Sequence, residues 1–387
     1  MKNFGVAGSG RWAREIIKIL NRILDKETLI TIYSGRGING IKKWLDKNPF
    51  DGRTFKLRSY ESIDKDIQDA FIVANAAKDH FKITKKIINK NVPVLVEKPI
   101  CLSYEDTDDL IKLSSKKDVL LGTSQIFLFT DYLANFRKII KLNKKISSIN
   151  FNWCDAKKEK RYGQEKRFDE GVPIFKDVLP HILSILIFVL EAKKLSFENL
   201  IYEGGGAYLT INIKIEDIPC KINIKRNSDS RKRIVKIIGD KRVELNFSTE
   251  PGFIKQNKTK TSSDKNWAKS ESPATKMIRS YLDTITKNKN LDPRIDPNVD
   301  IYYLIEVIDK EYKRKQKKFF KKILNNEDYS MKDLDYLIKE YILEKSLASY
   351  ESIDNILKKI KVTLTANKKN FNKLLNKDLS AFVRMHL

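Results

Sequence analysis

The chain has 387 residues, 41% of them hydrophobic and 33% charged, with three cysteines and three histidines. That length admits two domains and an appendage, and that apolar content excludes wholesale disorder. Unpaired cysteines at 101, 154 and 220 exclude a disulfide framework or a zinc site, imply no metal, and suit a reducing cytoplasm.

The net charge of +26 has two readings. One is phosphate neutralisation on a nucleic acid. The other is a lysine-rich chain with lysines dispersed over solvated faces, and their scatter and the lack of a nucleic-acid module favour it. No nucleic-acid partner is expected, although a positive field would attract an anionic cofactor or substrate. Met1-Lys2-Asn3 leads straight into a strand, so no signal peptide is expected. The longest apolar run, 182–190, is too short to cross a bilayer.

Residues 1–125 alternate short apolar strands (4–7, 29–33, 70–74, 92–96, 119–121) with amphipathic helices (14–24, 41–47, 82–90, 104–114). Such alternation predicts a doubly wound parallel sheet with helices on both faces. Ser103 is placed to cap the last of these helices, with Glu105, Asp106 and Asp108 near its positive end.

The pattern then changes. Residues 207–247 alternate with period two through Ile211, Ile213 and Ile215, then Ile222 and Ile224, then Val243, Leu245 and Phe247. Gly239-Asp240 marks a turn. This predicts an open, mostly antiparallel sheet with one apolar face, covered by a preceding helix through Ile182, Leu183, Ile185, Leu186 and Val189. Polar residues 248–272 read as a mobile loop, and 275–324 as helix. Residues 325–387 read as a helical extension, with apolar stripes at Leu334, Leu337, Ile338, Tyr341 and Ile342 and again near Ile356. The domains expected are 1–125, 126–324 and 325–387.

Four constellations carry chemistry. Gly8-Ser9-Gly10-Arg11-Trp12-Ala13 is a G-x-G-x-x-A loop between a strand and a helix. Gly8 makes the tight turn, Gly10 clears room for a pyrophosphate, and Ala13 permits close packing of helix on strand. The second strand ends in Tyr33-Ser34-Gly35-Arg36-Gly37, with no acidic residue to hold a ribose 2′-hydroxyl. Ser34 and Arg36 suit a 2′-phosphate instead, so NADP(H) is expected over NAD(H).

Glu97-Lys98-Pro99 follows the buried strand at 92–96. This sets Lys98 at the carboxyl edge, where open α/β sheets bind ligands. In Asp177-Val178-Leu179-Pro180-His181, Pro180 suits the first turn of a helix. If helical geometry already holds at Asp177, a carboxylate and an imidazole share one face, as acid–base work near neutral pH requires. A capping Asp and a satisfied core His are the alternative.

Taken together, these residues resemble the Gfo/Idh/MocA family, the glucose-fructose oxidoreductase and inositol dehydrogenase relatives. The resemblance covers residues 1 to about 320. It rests on the glycine loop, on Asp69 to Ala74 followed by His80, on Glu97-Lys98-Pro99, on Asp177 with His181, and on Ile237-Ile238-Gly239-Asp240. It implies a Rossmann domain followed by an α/β domain whose sheet often builds an oligomer interface.

For this chain the resemblance implies Lys98 beside the nicotinamide, hydrogen-bonded to the reacting oxygen. It implies His181 as proton carrier, Asp177 binding substrate or orienting His181, Glu97 facing the cofactor ribose, and a cis bond before Pro99. Asn75 and His80 would join the cofactor site. The chain departs from the family at Asn75-Ala76, where Thr-Pro is usual, and at Gln125 to Phe129, where Arg-x-x-Pro is common.

The expectation is a cytoplasmic, homo-oligomeric oxidoreductase. It would move a hydride between nicotinamide and a secondary alcohol or ketone of a sugar, sugar derivative or sugar nucleotide. A non-catalytic sensor of the same fold and an imine reductase are the alternatives.

Overall fold

A computed structural model describes residues 1–324 except 36, 51, 157, 158, 162, 163, 166–171, 204, 205, 257, 258, 263, 265 and 288. The extension expected at 325–387 lies outside the described residues. The chain divides into two compact units. One is Met1–Ala134 with Asn266–Tyr302; the other is Asn135–Lys265 with the residues from Tyr303 onward. The sequence reading draws its boundary at 125 and assigns nothing after it to the first domain.

The first unit is built on six parallel strands, β1 (Asn3–Ala7), β2 (Leu29–Tyr33), β3 (Phe55–Arg58), β4 (Ala70–Val73), β5 (Val94–Val96) and β6 (Leu121–Thr123). Their order is β3-β2-β1-β4-β5-β6. Chain direction along the sheet reverses between β1 and β4, which opens a crevice beyond their carboxyl ends. The alternation expected from sequence is present. β3 is an addition, and its four residues are all only half-buried, so it lacks the apolar run that betrays a central strand.

Helices α1 (Arg11–Ile23), α2 (Ile38–Lys47), α3 (His80–Asn89) and α4 (Tyr104–Lys117) join the strands. α1 buries Ala13, Ile16, Ile17, Ile19 and Leu20, one apolar stripe of a helix. α1 begins three residues before its periodic pattern and α3 two before, because first-turn residues need not face the core. This brings Gly10 to the cap of α1 and His80 to the first position of α3. Ser103 caps α4 as expected, its hydroxyl accepting from the Asp106 N–H at 3.2 Å.

Residues 266–302 complete this unit. The Tyr281 hydroxyl, on α7 (Pro273–Thr286), donates to the Phe71 carbonyl at 3.1 Å, and Thr123 N–H donates to the Ile295 carbonyl at 2.7 Å. The expected helix over 275–324 is two helices, α7 and the later Val299–Leu324. Pro293 and Pro297 fall between them, and proline both lacks the N–H and disfavours helix in the residue before it.

The second unit carries α5 (Asp131–Ile140, its first residues in the other unit), strand β7 (Ile146–Ala156), a short pairing of β8 (Lys160–Arg161) with β9 (Gln164–Glu165), and α6 (Ile174–Leu190). Then come β10 (Leu195–Glu203), β11 (Tyr208–Ile215), β12 (Ile218–Ser228), β13 (Lys232–Gly239), β14 (Arg242–Asn246), β15 (Phe253–Gln256) and β16 (Thr259–Ser262). Eight of these form one sheet, ordered β10-β11-β12-β7-β13-β14-β15-β16. Only β12 and β7 pair in parallel. The inward rows match the expected period-two residues, and α6 packs against β12.

The loop expected at 248–272 is corrected in part. β15 pairs with β14, and β16 with β15, at the sheet edge. Of β15, Ile254 alone is buried, so these edge strands carry almost no apolar signal. α8 (Val299–Leu324) closes the described chain.

One buried cation fixes α1 at its far end. Arg53, 8% exposed, donates to the carbonyls of Asn21, Leu24, Asp25 and Thr28 at 2.7–3.2 Å and to the Asn21 side chain at 3.1 Å. These carbonyls end the helix or lie in the turn to β2, where intrahelical donors run out. Arg53→Met is expected to lower stability by about 3 kcal/mol in urea unfolding, because several acceptors lose their donor together. Arg53→Lys should recover little, since an ammonium cannot reproduce the fork.

Candidate cofactor and active site

The glycine loop stands at the crevice. Gly8 has φ +144°, and a Cβ there would lie 2.5 Å from the Ala74 carbonyl oxygen, so only glycine fits between the ends of β1 and β4. Its N–H donates to the Tyr33 carbonyl at 2.8 Å. Gly10 caps α1, and a Cβ there would meet nothing within 4 Å. The first turn of α1 holds no acidic residue and no side chain caps it. Ala13 is fully buried and lets α1 lie close on the sheet, while Arg11 and Trp12 are half-buried at the helix start. Open space at Gly10 before a helix N-terminus that no side chain caps fits a dinucleotide pyrophosphate.

Ser34 is 2% exposed, and its hydroxyl donates to Ser9 Oγ at 2.8 Å. Gly37 closes over this pair, since a Cβ there would fall 2.1 Å from Ser9 Oγ. Donation from Ser34 to a ribose phosphate therefore requires its hydroxyl to turn away from Ser9. Arg36 lies outside the described residues.

Glu97 and Lys98 follow β5 directly. The Trp12 indole N–H donates to Glu97 Oε1, tying the start of α1 to the end of β5. Burial pushes the Glu97 carboxyl above its ordinary range, while donation from Ser124 and Trp12 and the charge of Lys98 oppose that shift. Lys98 keeps partial exposure, and its peptide bond to Pro99 is cis, as the resemblance implies.

Asn75 and His80 flank the same edge. His80 is 1% exposed, with Nδ1 2.8 Å from the Pro99 carbonyl oxygen and Nε2 3.2 Å from that of Asn75. Burial pushes its pKa below the ordinary value, against the pull of those carbonyls.

In the second unit α6 brings Asp177 and His181 four residues apart on one helix. The geometry that the sequence reading leaves conditional holds, because α6 starts at Ile174. Pro180 is corrected: it lies inside the helix, six residues beyond the start, where it removes the N–H that would bond the Lys176 carbonyl. His181, 8% exposed, stacks on Trp153 with centroids 5.8 Å apart and planes 18° apart. Arg233, 1% exposed, sits with Cζ 3.8 Å from the Trp153 ring centre and pairs with Asp155.

Trp153 and Arg233 are absent from the sequence reading. The available signal was Arg233 itself, a charge in the inward register of Val235 and Ile237. Lys98 thus lies in the first unit with the glycine loop, Asn75, His80 and Glu97, and Asp177 with His181 in the second.

The raised Glu97 pKa means that the folded state binds more protons than the unfolded chain. Its contribution to stability is present below the ordinary 4.5 and is lost as pH rises through the folded-state value. Glu97→Gln is expected to raise stability at pH 7 and to flatten that dependence, read by urea unfolding from about pH 5 to about pH 8.

Residues 2–125 match the family described as "Oxidoreductase family, NAD-binding Rossmann fold", GFO_IDH_MocA. The 2,7-anhydro-N-acetylneuraminate hydratase of Escherichia coli (strain K12) is 27% identical over 142 residues. That match spans 36% of this chain and only 36% of the length of that curated relative. The fold is also that of UDP-N-acetylglucosamine 3-dehydrogenase from Acidithiobacillus ferrooxidans, with TM-score 0.62 and 14% identity over 79% of this chain and 95% of that one.

It is likewise that of a 3-ketoreductase from Actinomadura kijaniata, solved with TDP-benzene and NADP, with TM-score 0.62 and 13% identity over the same shares. The parallel sheet and the glycine loop at its switch point agree with that match: residues 2–125 carry the NAD-binding Rossmann fold that the Gfo/Idh/MocA oxidoreductase family model describes.

Proposed function

We propose that this protein is an NADP(H)-preferring oxidoreductase acting at a secondary alcohol or ketone of a sugar, sugar derivative or sugar nucleotide. The observation that carries the reading is the N-terminus of α1, without an acidic residue in its first turn and tied through Trp12 to Glu97 at the carboxyl end of β5, beside Lys98. When bound, the nicotinamide supplies the two-electron chemistry. Lys98 donates a hydrogen bond at the substrate oxygen, where negative charge grows in either direction. His181 takes the hydroxyl proton when the alcohol is oxidised and returns it when the ketone is reduced, with Asp177 one turn earlier orienting the ring or the substrate.

Glu97 and Asn75 belong to the cofactor side of the reading, together with Gly8, Ser9, Gly10, Arg11, Trp12, Ala13 and His80. The preference for NADP(H) rests on Ser34 and Arg36 in a loop with no acidic residue. The substrate class is supported by the names of the sugar-acid hydratase and sugar-nucleotide dehydrogenase relatives. Self-association through the outer face of the eight-stranded sheet is part of the same reading.

Lys98→Ala and His181→Ala are each expected to lower kcat/KM at least about 10²-fold in hydride transfer followed at the nicotinamide absorbance. Wild-type turnover in both variants would refute the roles. A thermal-shift comparison is expected to show greater stabilisation by NADPH than by NADH, and the reverse order would refute the preference.

A further inference from the structure

The parallel sheet has a second opening, at the edge away from the glycine loop. A cleft of about 530 Å³ lies there between the starts of β5 and β6, the end of α4 and the end of α7. Pro93 precedes β5, and Val119 and Leu120 precede β6. All strands of a parallel sheet start at one edge, so this cleft and the cofactor crevice lie at opposite ends of the same strands. Every lining residue belongs to the first unit.

Three helices end around it. α3 stops at Asn89, α4 at Lys117 and α7 at Thr286. A helix C-terminus carries a partial negative charge of about half an elementary charge. Asn91 and Asp118 then turn the chain through the left-handed region, at φ 57° and 52°.

Two carboxylates, Asp118 and Asp296, line the cleft. Neither has a hydrogen bond or an ion pair among the described residues. Asp296 is exposed as a residue, yet desolvation of its carboxyl raises its pKa, and no cation opposes that shift. Lys289 is the only cation in the lining, so the cleft is acidic in a chain whose net charge is +26.

The rest of the lining decides the class of ligand. Ile111, Leu121, Ile285 and Leu291 give it an aliphatic wall. No group of three or more His, Cys, Asp or Glu that could hold a metal ion occurs among the described residues. Charge at the carboxylates and methylene groups along the wall suit an organic cation better than a hydrated metal ion.

We propose that this cleft binds a short aliphatic diamine, with Asp118 and Asp296 holding its ammonium groups and the aliphatic wall covering its methylenes. The site stands apart from the hydride chemistry and requires no nicotinamide.

The test is calorimetric titration of the full chain with putrescine in about 0.1 M NaCl. A Kd of about 1 mM or tighter is expected. The overall field of the protein repels a dication, so saturable binding reports a local site. Asp118→Asn and Asp296→Asn keep side-chain size, and each should weaken binding about fivefold, with the double variant weaker still. Ser115→Trp, at an exposed lining position, should block the cleft, and it carries the comparison if an Asn variant fails to fold. The uncharged 1,4-butanediol should not bind.

No saturable putrescine binding up to about 10 mM would overturn the proposal. So would a Kd unchanged in both folded Asn variants or in Ser115→Trp. Equal binding of 1,4-butanediol would overturn the role of charge, and tighter binding of MgCl2 than of putrescine would overturn the organic class.

Discussion

Two backbones approach each other at Gly8, and the cofactor side of this protein depends on that approach. The end of β1 lies so close to the end of β4 that a single added carbon would collide with the Ala74 carbonyl. Because Gly8 also takes a φ that side chains rarely adopt, the chain can turn at once into α1. The helix then starts at the crevice, with no acidic residue in its first turn and open space beside Gly10. Arg53 secures the other end of the same helix, so α1 is held at both termini and its positive end keeps one direction.

Around that helix the first unit accepts unfavourable burial. Glu97 is desolvated enough to raise its pKa, His80 is enclosed with both nitrogens toward carbonyl oxygens, and the Asn75 amide has no partner among the described residues. All three lie within a few residues of the carboxyl ends of β4 and β5. A fold selected for stability alone would fill these positions with apolar groups of similar volume. All three groups gather at one edge of the parallel sheet, where burial of polar groups is concentrated.

The second unit does something related with different means. Its sheet is apolar on the inner face through most of its rows, yet at one end that face carries Trp153, Asp155 and Arg233. The guanidinium covers the indole and is neutralised by the neighbouring carboxylate, and the indole stacks with His181. An imidazole packed against a rigid aromatic surface loses rotational freedom, which keeps its proton-bearing atoms in a defined direction. A methyl-sized side chain at 153 would leave the ring of His181 free to tilt.

Much of this was legible in the chain itself. Alternating apolar strands and amphipathic helices determined the parallel sheet, the glycine spacing determined the turn from β1 into α1, and Ser103 determined where α4 begins. Those features are local, set by residues within a turn or two of each other. The tertiary structure alone decided that residues 266–302 join the first unit, that polar β15 and β16 extend the sheet, and that Trp12 donates to a carboxylate 85 residues away. β15 shows no periodic burial because only Ile254 of its four residues reaches the core, which leaves no alternation to read. A hydrogen bond across 85 residues depends on the packing of two complete elements, and no spacing within either one encodes it.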